Sequence, residues 1–216
     1  MEYHHATMFE SVADAIPDAP ALAQGSRVVS WSGMDDRSSR LSSALIDAGL
    51  GIQAPVAIDL YNSNEWLESF YGIVKGRHVP VSINYRYLDD ELEYLLDDSD
   101  AEALIFHASL GERVVAVAQK MPKMKVLIQV DDIGGAPLLP GVLDYEQLVT
   151  GHTPAERRDR SADDIVMWYS GGTTGLPKGI LIPIGRSAEM ACSQEGRLRT
   201  LGRFEDEPGS IPADIA

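Results

Sequence analysis

Between Pro55 and Val130 short apolar runs alternate with helical patterns at close, regular spacing, and few architectures accommodate that rhythm. The runs Pro55 to Leu60, Val79 to Ser82, Ala103 to Phe106 and Val126 to Val130 read as strands. Between them lie three predicted helices. Glu65 to Lys75 carries Trp66, Phe70, Ile73 and Val74 on one face, and Asp89 to Asp97 carries Leu92, Leu95 and Leu96; Gly111 to Met121 is the third. Strands that alternate with helices of this length predict a parallel sheet covered by helices. Crossovers in such a sheet are right-handed, and ligands sit near the carboxyl ends of the strands.

The flanks are less regular. Thr7 and Glu10 have the spacing of a capping box and predict a helix from Met8 to Ile16, with Met8, Val12 and Ile16 in register. A hairpin is expected around Gly25-Ser26, between Ala21-Leu22-Ala23 and Val28-Val29-Ser30-Trp31. Ser32 with Asp35 then opens a second helix, with Leu41, Leu45 and Ile46 on its apolar face and Gly49 as its stop. Residues 131–140 form a Gly- and Pro-rich loop, and a short helix follows over Tyr145 to Val149. The polar stretch 151–164, with Arg157, Arg158 and Arg160, reads as a surface connection and a candidate subdomain boundary.

A chain of 216 residues can bury a real core, and its formal charge of −15 repels phosphate backbones. A nucleic-acid partner held by bulk charge is therefore not expected, although a local anion site is. Cys192 is the single cysteine, which excludes an intrachain disulfide and a cysteine metal cluster. The start lacks a basic segment followed by an apolar run. The longest uncharged run, Ile165 to Pro177, falls well short of the roughly 20 apolar residues of a membrane span. No transmembrane segment and a cytoplasmic location are the expectations. His4 and His5 have no further ligands at metal-site spacing and read as a solvated end. The acidic group Asp89, Asp90, Glu91, Glu93, Asp97, Asp98 and Asp100 reads as a dipole-stabilised first turn and a solvated face, so no metal is assigned there.

The chemistry is concentrated in one run. Ile165 to Tyr169 is apolar, and Ile180-Leu181-Ile182 is apolar again. Between them stand Ser170, Gly171, Gly172, Thr173, Thr174, Gly175, Leu176, Pro177, Lys178 and Gly179. Glycines let backbone N–H groups approach a ligand, and successive N–H groups form an anion-binding concavity. Ser170, Thr173 and Thr174 add hydroxyls, and Lys178 adds a mobile positive charge. A Walker A loop would place Ser or Thr directly after its lysine and lead into a helix. Here Gly179 follows Lys178, and a strand comes next. An ordinary exposed glycine hairpin does not need so much Gly and Thr chemistry, since two to five loop residues suffice.

Tyr169 to Gly179 resembles the phosphate-binding signature of the adenylate-forming enzymes: Tyr, Ser/Thr, Ser, Gly, Thr/Ser, Thr, Gly, any, Pro, Lys, Gly. Only Gly171 departs from it, standing where Ser is usual. Val28 to Leu50, Lys75 to Val81, Asn84 to Tyr87 and Leu138 to Gly141 are similar to the acyl-CoA ligase branch. The resemblance implies an N-terminal α/β subdomain of the acyl-CoA synthetase fold over residues 1–182, interrupted after a strand–phosphate loop–strand hairpin, and an atypical tail over 183–216. It implies that Ser170, Gly171, Gly172, Thr173, Thr174, Gly175 and Lys178 hold ATP phosphates, with Mg²⁺ bridging phosphate oxygens. The family reaction joins a fatty or sterol-type carboxylic acid to ATP and then to coenzyme A. The family's later Thr-Glu, ribose-binding Asp and C-terminal lysine elements have no counterpart in this sequence. The expectation is thus an acyl-CoA ligase portion, inactive alone. A nucleotide- or partner-binding module that self-associates through exposed sheet edges is the alternative, as is the product of a truncated gene. In the tail, helix propensity is confined to Ala188 to Leu198.

Overall fold

The computed structural model describes residues 3–170 and 176–192. The chain runs α1 (His5–Ala15), β1 (Pro20–Gln24), β2 (Arg27–Ser30), α2 (Trp31–Asp47), β3 (Pro55–Asp59), α3 (Asn64–Lys75) and β4 (Val79–Ser82). It continues through α4 (Asp89–Asp98), β5 (Ala103–His107), α5 (Gly111–Ala118), β6 (Val126–Val130), β7 (Leu143–Asp144) and α6 (Tyr145–Gly151). The last described elements are β8 (Ile165–Ser170), β9 (Lys178–Pro183) and α7 (Ile184–Cys192).

β1 and β2 form the expected small hairpin. The remaining strands form one sheet in the order β7-β6-β5-β3-β4-β8-β9. Every pairing is parallel except β8–β9. The predicted α/β class and parallel sheet are therefore present, and the period of two sorts side chains onto two faces. Val56, Ile58, Ala103 and Ile105 join Leu41, Leu45 and Ile73 in one buried cluster. Ala57, Leu104 and Phe106 join Leu92, Leu95, Leu96, Val114 and Val117 in the other. Helices α2, α3 and α6 thus cover one face, while α4 and α5 cover the opposite one.

Several boundaries differ from expectation for local reasons. Helix α1 begins at His5, and the capping group is His4, whose Nδ1 accepts from the Ala6 N–H at 3.1 Å. The Thr7–Glu10 capping box does not form, because Glu10 turns inward to Lys75 and Arg160. His4 is not a solvated end: it is buried, with Nε2 3.4 Å from an Asp164 carboxylate oxygen. Ser30, rather than Ser32, caps α2 by accepting from Gly33 N–H, which draws Trp31 out of the strand and into the helix. Gly49 stops that helix with a φ of +82°, a region open to glycine at little cost. Ser63 caps α3, accepting from Trp66 N–H at 3.3 Å. Strand β7, of two residues, was too short to leave a sequence pattern. Helix α7 starts at Ile184, ahead of the Ala188 suggested by propensity, because Ile184 N–H donates to Asp164 O at 2.6 Å and buries its side chain beside Val166.

The polar stretch 151–164 lies across α1 and α2 and is bonded to both. Arg157 grips Asp14 with two 2.7 Å bonds, Arg160 grips Glu10, and Ala155 N–H donates to Ser39 O.

Candidate phosphate-binding hairpin

The positions of the two strands that flank the glycine-rich run follow from the sheet order. β8 pairs with β4 in parallel through Val81↔Met167 and Ser82↔Trp168. Its last residue, Ser170, therefore lies at the carboxyl edge of the sheet, where the ends of β3, β4, β5 and β6 also emerge. That is the edge at which open α/β sheets take ligands. β9 returns antiparallel, with Ser170 opposite Lys178, Trp168 opposite Ile180 and Val166 opposite Ile182. Residues directly opposite each other share a face. Ser170 and Lys178 thus project side by side from the same face, and both are exposed.

Below that pair the face is apolar. Trp168 stacks at 6.4 Å on Trp66, which in turn stacks on Phe70 at 5.8 Å. Val166 packs with Ala6, Val74 and Ile184. On the opposite face Tyr169 packs with the α4–α5 cluster and donates its hydroxyl to Asp98 Oδ2 at 2.7 Å.

Lys178 differs from the other lysines. Lys75, Lys120, Lys123 and Lys125 are each engaged by a carboxylate at 3.0 Å or closer. Lys178, in a chain rich in acids, has no ion-pair partner among the described residues. Of the residues named from the sequence, the structure thus brings Ser170 and Lys178 together. Gly171, Gly172, Thr173, Thr174 and Gly175 lie outside the described residues.

Sequence reading missed a second feature of the same edge. Asp59, at the end of β3, is fully buried, and Arg113 of α5 approaches its Oδ2 at 3.6 Å. Burial pushes the Asp59 carboxyl up to about 6, against the pull of Arg113. Arg113 also donates to Tyr87 O at 2.7 Å and so holds the loop that leaves β4. It lines a cavity of about 550 Å³ with Ser109, Leu110, Ile133 and Leu139. A lone Asp inside Val56-Ala57-Ile58-Asp59-Leu60 was the available signal. His107 closes the end of β5; burial lowers its pKa, and its Nδ1 accepts from Tyr61 N–H at 3.0 Å.

The family model for AMP-binding enzymes matches residues 9–208. This chain belongs to the AMP-binding enzyme family. It is 39% identical over 188 residues to the medium-chain acyl-CoA ligase Mig of Mycobacterium avium, covering 80% of this chain and 34% of that protein. It is 33% identical over 183 residues to a 3-oxocholest-4-en-26-oate–CoA ligase of Rhodococcus rhodochrous, covering 84% of this chain and 33% of that one. Among solved structures, the anthranilate CoA ligase AuaEII in complex with anthranoyl-AMP superposes with a TM-score of 0.81 at 25% identity, covering 88% of this chain and 36% of that chain. A long-chain-fatty-acid-CoA ligase from Archaeoglobus fulgidus shares the fold, with a TM-score of 0.76, 22% identity, and coverage of 88% and 39%. The chain spans about a third of the length of the curated relatives it matches. Its α/β sheet and hairpin are the acyl-CoA ligase N-terminal architecture. No helix among the described residues is long and apolar enough to cross a membrane.

Proposed function

We propose that the β8–β9 hairpin is a polyphosphate clamp serving acyl-CoA ligase chemistry. Ser170, Thr173 and Thr174 supply hydroxyls, while Gly171, Gly172 and Gly175 supply backbone N–H groups to the β- and γ-phosphates of ATP. Lys178 neutralises the charge that develops on pyrophosphate as a carboxylic acid attacks the α-phosphorus. The observation that carries this reading is the side-by-side projection of Ser170 and Lys178, the latter without an ion pair among the described residues, at the sheet's carboxyl edge. Among the described residues no group of three His, Cys, Asp or Glu side chains is set to hold a metal. A single lysine and hydroxyl donors fit the phosphates rather than Mg²⁺ itself, which would be carried on phosphate oxygens. The acid substrate is of the fatty or sterol type, coenzyme A is the acceptor, and the cytoplasm, which holds ATP and coenzyme A, is the compartment. The 216-residue chain alone does not form acyl-adenylate, because its sequence lacks the Thr-Glu and ribose-binding Asp elements. Titration with MgATP tests the clamp, Lys178→Ala being expected to weaken binding about tenfold, as the loss of a charged contact does. Acid-dependent ATP–pyrophosphate exchange by the purified chain would contradict the claim of inactivity.

A second reading, a binding module that pairs with another copy of itself, is favoured by β9. That edge strand exposes Ile180 and Leu181 on opposite faces, at 46% and 57%, and open edges invite pairing. Sedimentation decides it: a monomer at every concentration removes this reading.

A further inference from the structure

Tyr169 touches both strands of the hairpin beside the two residues that flank its turn. It immediately precedes Ser170, and across the ladder it faces Gly179, which immediately follows Lys178. Its ring lies over Gly179, with Cζ 3.4 Å from where a Cβ would stand. Its hydroxyl is fixed from outside the hairpin by Asp98, in the last turn of α4 and 71 residues earlier in the chain. Burial, then the Asp98 carboxylate, pushes the Tyr169 phenol pKa upward, so the group remains a donor at neutral pH. Among α4's acids, most of which face solvent or a surface lysine, Asp98 is the one bonded to a described residue of the hairpin.

We propose that Asp98 and Tyr169 are a positioning pair, which fixes where Ser170 and Lys178 present their side chains to a polyphosphate. The proposal rests on the clamp reading above. Tyr169 points to the face opposite Ser170 and Lys178, so the pair touches no phosphate. It acts through the backbone at the end of β8, where the strand is tied to β4 by two residue pairs.

Amide hydrogen exchange at Tyr169, Ser170, Gly179 and Ile180 of the free 216-residue chain tests the pair without a ligand. Tyr169→Phe keeps the ring and removes the hydroxyl; Asp98→Ala removes the acceptor. Each is expected to speed exchange of the protected amides about fivefold, as loss of one charge-assisted bond does in a locally opening segment. The double variant is expected to do no more than either single, because the two share one bond. Asp98→Asn, which retains an acceptor oxygen, is expected to restore most of the protection, and β5 amides to stay unchanged throughout. Unchanged exchange in both single variants, or additive effects in the double, overturns the pair.

Titration with inorganic tripolyphosphate separates this proposal from the clamp. Tyr169→Phe, which changes no charge, is expected to bind about threefold more weakly than wild type, a fraction of one hydrogen bond. Weaker binding by Lys178→Ala with undiminished binding by Tyr169→Phe overturns the positioning pair alone. Equal binding by wild type and Lys178→Ala overturns the clamp, and the pair's role with it.

Discussion

Lys75 Nζ lies 3.0 Å from Glu10 Oε1 where α3 meets α1, and both side chains are 5% exposed. Asp35 and Ser39 complete the shell of the ammonium, and Arg160 reaches Glu10 from the 151–164 stretch. The network replaces hydration with paired charges at the junction of three segments. Losing Lys75 takes the ammonium away from Asp35 and Ser39 and leaves the buried Glu10 carboxylate to the arginines alone, which costs about 3 kcal/mol. Lys75→Met is expected to lose that much in urea unfolding. Lys178→Met, at an exposed lysine with no ion pair among the described residues, is expected to stay within about 0.5 kcal/mol of wild type. Equal effects from the two substitutions would contradict this assignment.

Acid should loosen the same region first. Burial, then the Arg160 charge, lowers the His4 pKa from 6.5 to about 4. The unfolded chain therefore binds more protons in that interval, and stability is fully present above 6.5 and lost as pH falls towards 4. Burial opposes ionisation of Glu10, but Arg160 and Lys75 prevail and hold its carboxyl below the usual range. Its contribution is present above the unfolded value and is lost at still lower pH. His4→Asn keeps a capping oxygen and removes the titration. It is expected to recover about 2 kcal/mol of the stability lost between pH 7 and pH 5. Unfolding midpoints at the two pH values give the comparison; His5, His78 and His107, lowered in the same direction, contribute to the residual slope.

Asp59 should behave oppositely. Its carboxyl is raised to about 6, so the folded chain holds the proton more firmly than the unfolded one. Its contribution falls as pH rises from 4 to 6, and the deficit is complete above that. Asp59→Asn is expected to gain about 1 kcal/mol at pH 7.5 and nothing at pH 4. Arg113 keeps the Tyr85 and Tyr87 carbonyls as partners. A loss of stability at pH 7.5 would show that the ion pair outweighs desolvation.

At Gly72 α3 packs tightly against α2. A Cβ there would stand 2.9 Å from Ser38 O and 3.0 Å from Leu41 Cδ2. Alanine gains about 1 kcal/mol of helix propensity but must separate two packed helices, which costs about 1–3 kcal/mol. A net loss of about 1 kcal/mol is expected for Gly72→Ala in thermal unfolding, with Gly51→Ala, which meets open space, as the control.

The centre of the sheet, β3 to β6, was legible because those strands are almost wholly buried and nearly continuous in apolar character. β3 to β6 differ from expectation by at most a residue at either end. The polar core was not legible. Glu10 finds Lys75 across 65 residues and Arg160 across 150, and no local pattern encodes partners at that distance. Local spacing instead suggested a capping box for Glu10 and a solvated end for His4. At the candidate site, residue chemistry pointed to Ser170 and Lys178, whereas their placement on one face required the register of β8 and β9. Asp98 looked like any other acid of α4, because its partner lies on a strand formed far along the chain.

β4 receives β8 after the sheet has already grown outward through β5, β6 and β7 on its other side. Sequence order and spatial order therefore part company at this seam. Closing the loop from Ser82 to Met167 is the longest step in building the sheet, and loop closure grows costlier with length. The sheet from β3 to β7 can consolidate from local crossovers, with the hairpin added last. A chain arrested before that step would carry most of its hydrophobic core and none of its phosphate chemistry, so a folded signal alone would not report a competent site.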